Sequence, residues 1–298
     1  MTDTLRVATR GSELARLQAG RVVDLLAVPA ELVVVSTRGD RDKTSPIHAI
    51  GGAGVFAKEV QEAVLQGDAD VAVHSAKDLP AVTPYGLTIG AVPERADPRD
   101  VLVGSRLDDL PTGSLVGTGA VRRRAQLASL RPDLAFGELR GNIATRLAQA
   151  DRFGAIVVAL AALERLGLTE RATEVCSTST LLPQVGQGAL AVECRADDQA
   201  TLDALATVDD ALSHAELRAE RAYLAQLGGG CDLPCGALAR ADGDGSLDLE
   251  VMLASLDGHV VLRLRGNGDD PEALGSDLAR RLVDHHGGNL LLEEAEAL

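Results

Sequence analysis

Short strand-like runs that end in Gly, Ser, Thr or Arg and turn at once into helical periodicity recur along most of this chain, which restricts it to an α/β fold. Residues 5–9 read as a buried strand and 10–12 as its turn, with Ser12 as N-cap of a helix carrying Leu14, Leu17, Val22 and Leu26 at helical spacing. Residues 31–36 read as a second strand and 56–65 as a helix. A third strand, 70–74, delivers Ser75, Ala76, Lys77 and Asp78 to its C-terminal end before Pro80 interrupts regular structure. The glycine-containing stretch 46–54 reads as mobile. A second module repeats the pattern: strands over 114–117, 134–139 and 155–159 lead into helices that carry Arg122, Arg146 and Arg165. The connections read as mostly parallel. After a link over 181–188 come a strand at 189–193 and a helix at 212–227. Two antiparallel strands, 247–256 and 259–265, then meet at the turn Asp257-Gly258 under a helix over 272–285, a small α+β unit.

Charge limits the partners. Lys and Arg number 29 against 44 Asp and Glu, a formal net charge of −15 that repels a phosphate backbone. With three Phe, two Tyr and no Trp, the chain has little from which to build a base-stacking platform. No apolar run approaches the roughly 20 residues that cross a bilayer, and the start of the chain lacks the apolar core of a signal peptide. The expectation is a cytoplasmic protein with no nucleic-acid or membrane partner. Four cysteines at uneven spacing do not make a disulfide scaffold in a chain of this length.

In open α/β sheets, ligands bind where strands end and helices begin, because free N–H groups and the helix dipole point there. Arg10, Lys77, Arg122, Arg123, Arg140 and Arg146 all stand at such junctions. Any one of them alone is an ordinary surface residue. Gathered at sheet edges in an acidic protein, they point to an anion with several negative groups, since the guanidinium fork matches carboxylate or phosphate oxygens. Arg122, Arg123 and Arg124 diverge by about 100° per residue on a helix, so one of the three is expected to face solvent. No GxxxxGK[ST] run and no GxGxxG after the first strand supports a nucleotide. Asp78 beside Lys77 is either a plain surface acid or a group that stabilises a cation and relays a proton.

Cys231 follows three glycines and precedes Asp232-Leu233-Pro234-Cys235. A metal site wants about four ligands, and this C-x₃-C stands alone, so no metal is expected. A redox pair is commonly one residue shorter. A thiol presented for covalent chemistry is the third reading. Cys176 and Cys194 read as buried side chains.

Seven segments together are more specific than any short motif: ATRGS (8–12), STRGD (36–40), DVAVHSAKDLP (70–80), ERADPRD (94–100), ELRGNIATRL (138–147), VGQGALAVECR (185–195) and AERAYLAQLGGGCDLPCG (219–236). In them the chain resembles the porphobilinogen deaminase (hydroxymethylbilane synthase) family from about residue 5 through 236, and more loosely beyond. The resemblance implies two periplasmic-binding-protein-like α/β domains joined by a double hinge, plus a small α+β C-terminal domain. The expected boundaries are 1–92 with 187–208, then 93–186, then 209–298.

The activity it implies is a transferase reaction, the stepwise condensation of four porphobilinogen molecules with loss of ammonia. They add to a dipyrromethane cofactor held through a thioether, one per chain, on Cys231, and hydroxymethylbilane is released by hydrolysis. The family pattern places catalysis on Asp78, Lys77 and Arg10, and cofactor contacts on Cys231, Lys77, Asp78, Arg122, Arg123, Arg146 and Thr118. It places the substrate's acetate and propionate groups on Arg10, Ser12, Arg140, Arg146 and Arg165. A monomer is expected. The chain departs from the pattern at Ala49 and Ala53, where the family commonly has lysines, at Gly119 and Ala120, where it has hydroxyls, and at Cys235, where it has an aliphatic residue. The alternative is a divergent member acting as a bilobal binding module for a small polycarboxylate.

Overall fold

The computed structural model describes residues 4–37, 54, 57–229, 233–243 and 245–296. Cys231, Ala49 and Ala53, and with them most of the stretch read as mobile, lie outside the described residues.

Strand β1 (Leu5–Arg10) leads into helix α1 (Glu13–Leu25), and the Ser12 hydroxyl accepts the Ala15 N–H as its cap. Strand β2 (Ala30–Val35), helix α2 (Lys58–Leu65), strand β3 (Val71–Ser75) and strand β4 (Leu87–Ala91) follow. The chain then leaves this sheet. It builds β5 (Asp100–Val103), β6 (Leu115–Gly117), α3 (Val121–Leu130), β7 (Ala135–Gly137), α4 (Ile143–Ala148), β8 (Ala155–Ala159), α5 (Leu160–Arg165) and β9 (Glu174–Val175). It returns as β10 (Leu190–Arg195), inserted between β3 and β4, so the sheets run β2-β1-β3-β10-β4 and β7-β6-β8-β5-β9. Each sheet is covered on both faces because its central strands are apolar at successive positions: Val7 packs with α1, while Ala8 packs with Val60 and Val64 of α2. In the second sheet Leu102 and Val157 face Leu127 of α3, while Val101 and Val158 face Leu147 and Leu163.

The expected parallel character holds for only half of the strand pairs. β1 pairs with β2 and β3, and β6 with β7 and β8, in parallel; β10 with β3 and β4, and β5 with β8 and β9, run antiparallel. The antiparallel strands flank the two crossings between sheets, where the chain enters or leaves without a helical return.

Helices α6 (Gln199–Leu205) and α7 (Ala211–Leu227) lead to a third sheet of β11 (Cys235–Ala241), β12 (Leu247–Ala254) and β13 (Val261–Gly268), covered by α8 (Pro271–His285) and α9 (Gly288–Glu296). The sequence pattern announces two strands and one covering helix here; β11 and α9 are additional. Tyr223, Leu249, Val251, Leu278 and Leu282 fill its core, and the Tyr223 hydroxyl donates to Met252 O at 2.8 Å. The other face of this sheet, through Leu238, Met252 and Ala254, packs on Ala125 of α3.

The two crossings touch. Arg95 Nε donates to Gln187 O at 3.0 Å, and the Ala96 N–H to Gly188 O at 3.3 Å. Gly188 has φ +89°, and a Cβ there would collide with Ala96 O, so only glycine fits. Glu220 of α7, fully buried, accepts the Gly186 N–H at 2.7 Å, the Ala239 N–H at 2.9 Å and the Arg95 guanidinium at 2.7 Å. One carboxylate thus holds both crossings to the third sheet.

Candidate active site

β3 ends at Ser75 and tightens into one 3₁₀ turn, Ala76–Asp78. The turn sets Lys77 and Asp78, both half-buried, at the C-terminal edge of the first sheet. The Ser75 hydroxyl exchanges hydrogen bonds with Gln18 of α1, and Gln184 Nε2 donates to Lys77 O at 3.3 Å, so the turn is held from two sides. Burial pushes the Lys77 amine down to about 8 and the Arg123 charge pushes the same way, while Asp78 and Asp100 oppose it. Arg10, the last residue of β1, stands on the same edge, and Ser12 spends its side chain on the α1 cap.

The second sheet contributes the start of α3. Arg122 and Arg123 are buried, and both pair with Asp100, the first residue of β5. Arg122 Nη2 donates to Asp100 Oδ2 at 2.8 Å; Arg123 donates through Nη2 at 2.7 Å and Nε at 3.1 Å to Oδ1. Burial alone would raise the Asp100 carboxyl, but the two guanidinium charges outweigh it and hold it well below the ordinary carboxylate range. Both guanidinium groups thus make short hydrogen bonds inside the protein, and Arg123 also donates to Val157 O at 3.0 Å. Arg124 is the outward one of the three and donates to Leu256 O of the third unit.

Thr118 is buried and its hydroxyl accepts the Ala120 N–H at 3.2 Å. No side chain caps α3, so its first N–H groups are available to an anion. A Cβ at Gly119 would stand 2.9 Å from Leu139 O. The hydroxyl that the family pattern carries at this position has no room here without a shift of backbone.

Asn142 caps α4 by accepting the Thr145 N–H, and the next turn holds Arg146, whose Nε donates to Gly141 O at 2.8 Å. Burial brings Arg146 down to about 10, with Arg123 and Arg140 lowering it too and Asp78 opposing them. Asp78 and Arg123 thus act by charge on both Lys77 and Arg146, and Arg140 acts on Arg146. Arg140 also lies 3.6 Å from the Glu138 carboxylate. Arg165 stands apart: Nη2 donates to Gly188 O at 2.6 Å, and burial together with the charge of Arg21 brings it to about 10. It belongs to the crossing between sheets rather than to the Lys77 cluster.

A narrow cavity between the three sheets is lined by Lys77, Ala120, Arg122, Gln184, Leu233 and Cys235. Cys235 is the first residue of β11 and buried. Burial raises the Cys176 and Cys194 thiols to about 12 and 11, in keeping with inert core side chains. Sequence reasoning missed Asp100 and Gln187, both fully buried. The signal for Asp100 was an acid opening the apolar run DVLV, which needs a cationic partner wherever it is covered. Among the described residues no group of three His, Cys, Asp or Glu is placed to share a metal ion, and no helix is long and apolar enough to cross a membrane.

The donor set suits a polycarboxylate ligand: cations outnumber carboxylates at the cleft, and the buried Arg122 Nε has no hydrogen-bond partner among the described residues. Comparison with known proteins agrees. A family model described as porphobilinogen deaminase, dipyromethane cofactor binding domain, matches residues 5–203, and one described as porphobilinogen deaminase, C-terminal domain, matches 214–284. Curated relatives include the porphobilinogen deaminase of Roseiflexus sp. (strain RS-1), 47% identical over 98% of this chain and 99% of its own length. Those of Syntrophus aciditrophicus, 44% identical over 98% and 99%, and of Brevibacillus brevis, 43% identical over 97% and 96%, are similar along their whole lengths as well.

Proposed function

Because the chain belongs to the porphobilinogen deaminase family, we propose that the edge shared by Lys77, Asp78, Arg123 and Arg146 is the place where it condenses porphobilinogen, with loss of ammonia, toward hydroxymethylbilane. The alternative of a binding module without turnover is not retained. The observation that carries the assignment is one carboxylate, Asp78, set among cations that burial and mutual repulsion have already strained.

Cys231 would hold the dipyrromethane, which when bound would supply a nucleophilic pyrrole carbon. Leu233, two residues beyond Cys231, lines the same cavity as Lys77. Lys77, Arg146 and the free N–H groups opening α3 hold its carboxylates. Arg122 and Arg123, whose forks are held by Asp100, act at longer range through their charge. Thr118 fixes the loop before α3. Arg10 and Arg140 orient the acetate and propionate groups of porphobilinogen, each ring bringing two carboxylates into an otherwise acidic protein; Ser12 and Arg165 support them from behind, Ser12 by capping α1 and Arg165 by fixing the crossing at Gly188. Asp78 accepts the pyrrole N–H and stabilises the positive charge that develops on the ring as ammonia departs, an interaction stronger in the transition state than in the neutral ground state.

The domains we assign are 1–92 with 187–208, then 93–186, then 209–298. The protein acts as a cytoplasmic monomer on a small-molecule substrate, without nucleic acid or membrane, in keeping with its net charge of −15. The test is ammonia release from porphobilinogen by the purified protein and by Asp78→Asn, each with cofactor occupancy checked by mass. The variant is expected to lose about 10²-fold or more in turnover. If Asp78 were only a surface partner of Lys77, the cost would be about 1 kcal/mol of stability or less, and near-normal turnover would remove it from the mechanism.

A further inference from the structure

We propose that Gln187 is a positioning residue for the condensation: its side-chain amide links the amine of Lys77 on the first sheet to the Asp100 carboxylate that holds Arg122 and Arg123 on the second. The proposal rests on Lys77 belonging to the reacting site. Gln187 lies on the return crossing and is fully buried. Its Nε2 donates to Pro98 O at 2.7 Å and to Asp100 Oδ1 at 2.8 Å, while Oε1 accepts from Lys77 Nζ at 3.5 Å. Both donors and the acceptor of the amide are therefore in use. The backbone is equally fixed, because Gln187 N donates to Gln184 O at 2.9 Å and Gln187 O accepts from Arg95 at 3.0 Å.

Pro98 lies on the outgoing crossing and Asp100 opens the strand after it, while Gln187 lies on the returning one. Its side chain thus spans the two places where the chain changes sheets. Carboxylates of a bound pyrrole chain that reach both Lys77 and the α3 start meet a spacing set by this one amide. Misplacement of about 1 Å in such a constellation costs on the order of 10²-fold in rate. Substitutes of similar size break the pattern: Glu offers oxygen where Pro98 O and Asp100 need donors, and Met offers neither the donors nor the acceptor.

Gln187→Met and Gln187→Glu, prepared as holoprotein beside the wild type, separate positioning from mere packing. Three quantities are read: the pH midpoint of Lys77 acetylation by acetic anhydride, mapped by peptide mass; kcat and KM for porphobilinogen; and Tm. The charged groups facing Lys77 are Asp78 on its own turn, Asp100 and Arg123 from the second sheet, and Arg146 of α4. The carboxylate introduced by Gln187→Glu would be ionised among Lys77, Arg122 and Arg123 and would raise the midpoint. Gln187→Met removes an acceptor of the ammonium and lowers it, each shift being about half a pH unit or more. We expect these opposite shifts, with kcat down about tenfold or more in both variants and KM changed less. Midpoints equal to wild type in both variants, with only Tm lowered, would overturn the proposal. So would opposite shifts with unchanged kcat. Should the wild type itself release no ammonia while the midpoints move as described, the deaminase assignment fails and the Lys77–Gln187–Asp100 link stands.

Discussion

Lys77 carries its positive charge at a cost. Its amine falls from the ordinary 10.5 to about 8 because burial and Arg123 disfavour the ammonium. Below about pH 8 both folded and unfolded chains are protonated at this residue, and the folded one bears the full penalty. Between about 8 and 10.5 the unfolded chain alone keeps the proton, so the folded chain escapes the repulsion only by releasing its own and the cost of the site no longer includes a buried charge. The stability lost through Lys77 is therefore greatest below about pH 8 and shrinks as the pH rises from about 8 toward 10.5. The direct measure is the proton itself: unfolding near pH 9 should take up protons at this residue, whereas unfolding near pH 6 should not. Lys77→Met removes the buried ammonium altogether and is predicted to be more stable than wild type at pH 7 by on the order of 1–3 kcal/mol, hence to unfold at higher temperature, and to lose turnover. Thermal scans check both halves; a variant that unfolds at lower temperature while keeping turnover would contradict the repulsion. The same reasoning gives the site its ligand preference, because carboxylates arriving beside Lys77 and Arg146 remove the repulsion between these cations.

At the scale of elements, the parts that could be read from sequence were those with one strong local signal. The Ser12 cap, the strand before Lys77 and the 155–163 run from strand into helix are all specified within a few residues. β11 was missed because CGALARA lacks the β-branched and aromatic residues of an ordinary strand. Its small residues are needed for another reason: Ala237 N donates to Pro183 O, and a Cβ at Gly236 would come within 2.7 Å of the same oxygen. Likewise, a run of three arginines announces charge but not the Asp100 that neutralises two of them from a strand 22 residues earlier. Long-range pairing of this kind leaves no local trace. Glu220 is the clearest example of it, since an acid on a helix face reads as solvated although it is fully buried here. Glu220→Gln should remove about 3 kcal/mol of stability by leaving Arg95 without a full countercharge. Hydrogen exchange should quicken at the Gly186 and Ala239 amides that Glu220 holds; unchanged protection there would mean that the third unit is secured in some other way.

Across the whole molecule, an acidic surface and a cationic cleft divide the labour. Net charge of −15 keeps the protein off polyanions in general, while two sheet edges and the start of α3 concentrate cations where a small polycarboxylate is to be gripped. The three sheets meet at the cavity lined by Lys77, Arg122, Leu233 and Cys235, with both crossings tied to α7 through Glu220 and to each other through Gln187 and Arg95. Cys231 lies outside the described residues, and its role rests on the family pattern and on the neighbouring Leu233. The mass of the purified intact protein, followed by peptide mapping, tests that role most directly. An excess of two linked pyrrole units on the peptide containing Cys231, lost in Cys231→Ala and retained in Cys235→Ala, is the predicted result; an unmodified mass, or an adduct mapped to Cys235, would contradict it.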